Sequence, residues 1–363
     1  MKIPFYRPYF PKKSFSKIQD VLESGHWTRG RMCEEVENLI QSEFYPGTHC
    51  LLVNSASGGL YVALMALGIE PGDTVVVPIN TFSSTAAVPF HLKANIIFCD
   101  IDLETGNYCL SSLKNILETK NVDFVLPVFL AGNITNTKEL YELKSKYNFK
   151  IIEDAAQAFG SRGVCDYADV SVISFHATKI IGSPDSGLVI TKDLDLYEKM
   201  KQISLHGIEK ISPFEYDIQE EGLKFNSNDF AASIIFEQLK VFNEILEKRK
   251  YFFTYYCQKL SDIESIQFID LGENSNCSLL IALVDKRDEL REFLLAKNIE
   301  TSVHFKGLNQ HTLWKNYLNE NDGLNFEKCD EYSLKAISLP VFFEMTKSEC
   351  DYVIDQIRSF YSQ

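Results

Sequence analysis

From residue 50 to residue 191 the chain repeats one pattern, a short apolar run followed by a longer stretch with apolar positions every three or four residues. Seven runs stand out: 50–54 (CLLVN), 74–78 (TVVVP), 95–100 (NIIFCD), 123–128 (DFVLPV), 150–154 (KIIED), 169–175 (DVSVISF) and 187–191 (GLVIT). Most are apolar along their whole length rather than alternating, as strands covered on both faces should be. Helical patterns intervene at GGLYVALMAL, STAAVPFHL, SSLKNILET and TKELYELKSKY. Strand and helix in alternation predict an α/β fold with a doubly wound, mostly parallel sheet. The last two runs are joined by a link too short for a crossover helix, so a mixed sheet is expected there.

The flanks read differently. Ser14 is expected to cap a helix over SKIQDVLES that Gly25 ends, followed by a loop at 26–30 (HWTRG) and a second helix near 34–44. In that loop Trp27 and Arg29 read as an anchor for an arm or as the lip of a site, and the anchor is preferred. After residue 207 the chain turns polar, and 208–229 (IEKISPFEYDIQEEGLKFNSND) reads as a long functional loop. One long helix is expected from about 230 to 260. Beyond it lies a second unit alternating SIQFID, CSLLIALV, KRDELREFLLAKN, TSVHF and the amphipathic KSECDYVIDQIRSF. At 363 residues the chain exceeds one typical core. The expected division is a large domain at 1–245 and a small one at 246–363.

Composition narrows the classes. A net charge of −14 lacks the basic face that a nucleic-acid surface needs. Nine scattered cysteines form no CxxC pair, and seven histidines form no HxxxH pair. Reduced, buried thiols and no metal centre are therefore expected. The first residues, MKIPFYRPYFPKKSF, have no continuous apolar segment of the signal-peptide kind, and no run approaches the length of a membrane span. A soluble, cytoplasmic protein without membrane partners is the expectation.

Ligands of open α/β sheets collect where the carboxyl ends of strands meet their loops. After 50–54 come Ser55-Ala56-Ser57-Gly58-Gly59 and a helix, a small-residue turn whose N–H groups can approach a phosphate. After 74–78 comes Phe82, an aromatic that could stack on a planar group or simply fill the core. After 150–153 comes Asp154, which caps the next helix or meets a cation, since a carboxylate at the end of a buried strand is costly otherwise. Lys179 follows 169–175, where desolvation would favour its neutral, nucleophilic form. Each has an ordinary structural reading on its own. Their order on successive strand ends carries the sharper one, in which Lys179 forms a Schiff base with pyridoxal 5'-phosphate and Asp154 pairs with its protonated ring nitrogen.

With these residues in place, the chain resembles the fold-type I pyridoxal-phosphate enzymes, and within them the DegT/DnrJ/EryC1/StrS family of sugar aminotransferases. The likeness runs through VLESGHWTRG, NSASGGLYVALMALGIEPGDTVVVPINTF, IIEDAAQAFGS, ISFHATK, SVHF and SLPVFFEMTKSECDYVI. It implies that Lys179 shuttles protons, Gln157 lies near the ring hydroxyl and Phe82 stacks on the ring. Ala56, Ser57 and Ser174 would hold the phosphate. It implies a homodimer with shared sites, in which the loop Gly222-Leu223-Lys224-Phe225-Asn226 reaches the neighbour's phosphate. Lys224 stands there where many relatives have asparagine, with Asn226 a second candidate. His304 matches a histidine that faces the sugar. After the lysine, relatives carry a G-E-G-G turn, whereas this chain has Gly182-Ser183-Pro184-Asp185-Ser186-Gly187, with Asp185 standing for the glutamate.

The motifs ISFHATKII and GLKFN look closest to enzymes that aminate UDP-linked 4-keto sugars, with glutamate as donor and 2-oxoglutarate as product, in surface-polysaccharide synthesis. Two alternatives stay open within this resemblance: a 3-keto-sugar aminotransferase, and a non-catalytic relative that binds the cofactor or a sugar nucleotide. A nicotinamide-dependent oxidoreductase is disfavoured, because no GxGxxG follows the first strand.

Overall fold

The computed structural model describes residues 1–320 and 325–362. Two helices, α1 (Ser14–Ser24) and α2 (Arg31–Glu43), lead into β1 (His49–Val53), and α3 (Ala56–Ala66) follows at once. Next come β2 (Thr74–Pro78), α4 (Ser84–His91), β3 (Asn95–Cys99), α5 (Leu110–Thr119), β4 (Phe124–Val125), α6 (Thr137–Tyr147) and β5 (Lys150–Asp154). β6 (Val170–Ser174) and β7 (Gly187–Thr191) flank the lysine loop, and α7 (Leu194–Ile203) follows. A hairpin of β8 (Ile208–Ser212) and β9 (Glu215–Ile218) precedes α8 (Asp229–Leu239) and α9 (Phe242–Leu260). The remainder holds β10 (Ile266–Phe268), β11 (Leu280–Val284), α10 (Arg287–Ala296), α11 (Thr312–Glu320), α12 (Glu327–Lys335), β12 (Ala336–Leu339) and α13 (Lys347–Tyr361).

The first seven strands form one sheet in the order β1-β7-β6-β5-β4-β2-β3. β7 is antiparallel to β6 and β1, and every other pairing is parallel, so the mixed sheet expected from the short lysine link is present. Successive side chains of a strand face opposite sides. Thus Leu51, Val53, Val172 and Val189 join a core with α3, while Leu52, Ile173, Leu188 and Ile190 join another with α2 and α8. Each such side chain contributes about 1.5–3 kcal/mol by leaving water. β1, β2, β5 and β6 all point the same way, so the loops after them emerge on one edge.

Up to residue 260, five details depart from the sequence-based expectation. β4 keeps only two residues of 123–128, because Pro127 has no N–H to donate within a central strand; pairing resumes as a bridge from Val128 to Asp154. Ser14 is the first helical residue rather than the cap, and its buried hydroxyl has no partner, whereas Gly25 does end α1 in the left-handed region at φ 72°. α2 starts three residues earlier than expected, because the Asp229 carboxylate accepts from the backbone N–H groups of Gly30, Met32 and Cys33. The polar segment after 207 forms the β8–β9 hairpin, not a plain loop. The long helix at 230–260 is two helices, and the break before Phe242 sets its ring 5.2 Å from that of Phe44 and 5.3 Å from that of Phe159.

A second sheet, β10-β11-β12, packs with α10 and α13 around Leu280, Ile337, Leu294 and Val353. Its third strand is β12; 301–305 contributes only an isolated bridge from Ser302 to Ser338. The expected boundary after residue 245 falls inside α9, which runs unbroken through it. The N-terminal residues join this half of the chain. Ile3 is fully buried, its N–H bonds Asn298 O at 2.8 Å, and its carbonyl accepts from Glu300 N at 2.9 Å.

Candidate active site

The turn from β1 into α3 is held open by small residues. Ser55 caps α3, its Oγ accepting from Gly58 N at 3.1 Å. A side chain at Gly187 could not fit, since its Cβ would lie 2.6 Å from Ser55 C and 2.7 Å from Ala56 N. At Gly58 the Cβ would lie 2.6 Å from Asn54 Oδ1. Close packing at these two glycines, against backbone at Gly187 and against side chains at Gly58, therefore shapes the turn. Unpaired N–H groups at the positive end of a helix attract a phosphate.

Asp154 ends β5 with its carboxylate buried. Thr85 Oγ1, on α4, donates to Oδ2 at 2.6 Å, and Ala156 N donates to Oδ1 at 3.1 Å. Thr81 Oγ1 lies 2.7 Å from Thr85 Oγ1, which extends the chain of hydroxyls. Burial pushes the Asp154 pKa up, while Thr85, Ala156 and the charge of Lys179 pull it down. A further cation in the cavity would hold this group as a carboxylate.

Lys179 sits in the loop between β6 and β7. Burial lowers its pKa and the Asp154 charge opposes that fall, so the amine is neutral more often than an ordinary lysine. The loop is braced at both ends. Phe175 N bonds Ser186 O at 2.9 Å, Ser183 N bonds Phe175 O at 2.8 Å, and Gln238 bonds the N–H and carbonyl of Gly182 at 2.9 and 2.5 Å. The departure from a glycine-rich turn is thus met by side-chain and backbone ties, and Asp185 lines the cavity. His304 faces the lysine from the other side. Its Nδ1 lies 2.8 Å from Ser338 Oγ, and burial, with the Lys179 charge, lowers its pKa to about 3. It is a neutral imidazole at physiological pH.

These groups meet in one cavity of about 330 Å³, inside the roughly 300–1,000 Å³ range of small-molecule sites. Of the residues expected from the sequence, Ala56, Ser57, Phe82, Asp154, Gln157, Ser174, Lys179 and His304 all line it. Phe82 is 62% exposed, a bare aromatic face at the mouth 6.3 Å from the Phe305 ring. Gln157 is held by Ala131 N, which donates to Oε1 at 2.6 Å. Lys224 is not brought in. It is exposed on the same chain, its Nζ 3.2 Å from Asn226 Oδ1, beside the end of β1. Thr85 and Ser338 were not anticipated. Thr85 stands in a stretch that reads only as a helix, and nothing local marks Ser338 as the partner of His304.

The cofactor expected from the sequence fits this set. The α3 terminus and the hydroxyls of Ser57 and Ser174 suit a phosphate, a buried carboxylate suits a ring cation, and the weakly basic amine suits an aldehyde. Among the described residues no cluster of His, Cys, Asp and Glu could hold a metal ion.

Comparison with known proteins agrees with the geometry. The spore coat polysaccharide biosynthesis protein SpsC of Bacillus subtilis is 27% identical, covering 98% of this chain and 96% of its own. The UDP-4-amino-4-deoxy-L-arabinose–oxoglutarate aminotransferase of Shewanella sediminis is 28% identical, covering 98% and 97%. In fold, the chain superimposes on Helicobacter pylori PseC, an aminotransferase of pseudaminic acid biosynthesis, with a TM-score of 0.92 at 23% identity over all of both chains. Spr1654 of Streptococcus pneumoniae, described as a sugar aminotransferase by assignment and solved in its PMP form, gives 0.90 at 24% identity over 99% of each. A family profile matches residues 9–358, and this protein therefore belongs to the DegT/DnrJ/EryC1/StrS aminotransferase family.

Proposed function

We propose that this aminotransferase uses pyridoxal 5'-phosphate to move an amino group from glutamate to C-4 of a nucleotide-linked, UDP-type 4-keto sugar, for surface polysaccharide or glycoconjugate synthesis. The convergence of Lys179, Asp154 and the β1–α3 turn in one cavity carries the reading. The names of the Bacillus and Shewanella relatives support the polysaccharide setting and the UDP-linked sugar.

When bound, the cofactor supplies an electron sink that makes the C–H beside the amino nitrogen acidic. The residues do the rest. Ala56, Ser57 and Ser174 would hold the phosphate, Phe82 would cover the ring, and Gln157 would stand by its hydroxyl. Asp154, oriented by Thr85, would keep a proton on the ring nitrogen. Lys179, whose lowered basicity gives a larger neutral fraction near neutral pH, takes a proton on Nζ and returns it. His304 offers a neutral ring to the sugar, oriented by Ser338.

The division near residue 245 into cofactor and small domains is kept, supported by the separate core of the second sheet. A homodimer in which Lys224 reaches the neighbour's phosphate is supported by its exposed position beside β1. The nine cysteines are free, which supports a reducing, cytoplasmic location, and among the described residues no helix is long and apolar enough to cross a membrane.

The test begins with purified protein, which should be yellow and lose its colour on adding glutamate. Borohydride added to the yellow protein, before any glutamate, should fix the cofactor to Lys179, and Lys179→Ala should abolish turnover. The pyridoxamine-phosphate form, offered UDP-, dTDP- and GDP-linked keto sugars, should aminate a UDP-linked 4-keto sugar. A protein with no affinity for the cofactor would end the reading, and amination only at C-3 would overturn its regiochemistry.

A further inference from the structure

The backbone of Lys179 is held by a residue 173 positions away. Tyr6 donates its hydroxyl to Lys179 O at 2.6 Å. Behind Tyr6 lies the Arg249 guanidinium, on α9, 5.8 Å from the centre of the Tyr6 ring. Arg249 is buried to 1% exposure and has no acidic partner among the described residues. It donates instead to Ser278 O at 3.0 Å and Cys277 O at 3.5 Å, and its Nε bonds nothing. Burying an unpaired cation is expensive, which makes the group it touches worth asking about.

The segment bearing Tyr6 is tied firmly to the C-terminal half. Besides the bonds of Ile3, Phe5 N donates to Glu300 Oε2 at 3.2 Å, Arg7 pairs with Glu349 at 3.3 Å, and the Arg7 guanidinium lies 4.8 Å from the centre of the Phe342 ring. Phe5 stacks on His304, centroids 5.7 Å apart. Phe5 and Tyr6 thus wall off a side cavity of only about 30 Å³ between Lys179 and His304, room for about one water molecule.

We propose that Tyr6, backed by the buried cation of Arg249, is a positioning residue for Lys179: it fixes the lysine's carbonyl from behind and keeps bulk water from its amine. This rests on the proposed role of Lys179. The Arg249 charge beside the phenol strengthens its O–H as a donor, which gives the unpaired cation a task. The other titratable or charged groups around the amine are Asp154 at the end of β5, His304 in the segment after α10, and His176 and Asp185 in the lysine's own loop. Of these only His176 touches the backbone of Lys179, its carbonyl accepting from Lys179 N at 2.8 Å, and it does so through its own main chain, so Tyr6→Phe removes one defined side-chain contact.

Two readouts test the inference. In cofactor-free protein, the pH dependence of Lys179 acetylation by acetic anhydride, followed by peptide mass spectrometry, reports the amine directly. Tyr6→Phe should move half-modification upward by about half a pH unit or more, toward the ordinary lysine value. In cofactor-loaded protein, the first-order rate of the glutamate half-reaction should fall about ten- to a hundredfold, with half-saturating glutamate changed less than about twofold. Arg249→Met should act in the same direction, and Arg249→Lys should recover part of the loss. Unchanged acetylation and rate in a folded Tyr6→Phe protein would overturn the role of Tyr6. Equal behaviour of the two Arg249 variants would overturn that of the charge. Should Arg249→Met fail to fold, Tyr6→Phe still decides. A wild-type Lys179 that acetylates like an ordinary lysine and takes no pyridoxal phosphate would overturn the proposed function itself.

Discussion

Asp154 and its neighbour Glu153 are adjacent carboxyl groups at the end of β5 that burial treats alike and function separates. Asp154 faces the cavity. Its attraction for a ring cation at about 4 Å would be about 4 kcal/mol at an effective dielectric of 20, so Asp154→Asn should slow the glutamate half-reaction about a thousandfold while the protein stays folded. Glu153 faces away, accepting from Ser171 Oγ and Cys165 N, and burial raises its pKa to about 7. The folded chain then holds a proton that the unfolded chain has released between about pH 4.5 and 7, so this group makes stability fall as pH rises through that window. Thermal melts from pH 5 to pH 8 should show a loss of a few degrees in the wild type that shrinks in Glu153→Gln. Asp154 and Lys179 were legible in the sequence because Asp154 closes an apolar run and Lys179 stands in the short turn after one. Thr85 was not, since the residue it holds is 69 positions away, nor was Ser338, 34 positions from His304.

At the scale of elements, the β1–α3 corner depends on a strand that pairs with it from far along the chain. Because Gly187 begins β7 against the backbone of Ser55 and Ala56, Gly187→Ala should push that corner aside. Titration with pyridoxal phosphate should show affinity down about tenfold or more, with a smaller change in melting temperature. All seven strands of the main sheet were legible, since runs such as TVVVP and GLVIT are apolar throughout and have no other use. The failures have local causes. Pro127 interrupts a run that looks continuous. The β8–β9 hairpin carries so many polar residues that its alternation is hidden. The kink at Val241 falls in a stretch whose helical periodicity continues on either side. β12, four residues long, is marked only by its pairing with β11.

For the whole molecule, the expected dimer has a visible candidate surface. The β8–β9 hairpin exposes Ile211, Phe214, Tyr216 and Ile218, with Phe214 99% exposed at its tip. An apolar patch of this kind marks an interaction site. Light scattering should give a dimer, Phe214→Asp should shift it toward monomer, and Lys224→Ala should weaken phosphate-dependent cofactor binding without altering mass. The second half of the chain was the least legible, because its small sheet is built from strands of three to five residues separated by long connections. The same layout sets an order in time. Ile3 pairs with residues 298–300, so on the ribosome the segment around Ile3 has no place to settle until some three hundred later residues have followed. Tyr6 reaches the carbonyl of Lys179 only then. A chain cut short before residue 300 would carry the lysine, the aspartate and the phosphate turn, yet lack the brace behind the lysine, and the site is finished by the residues that waited longest.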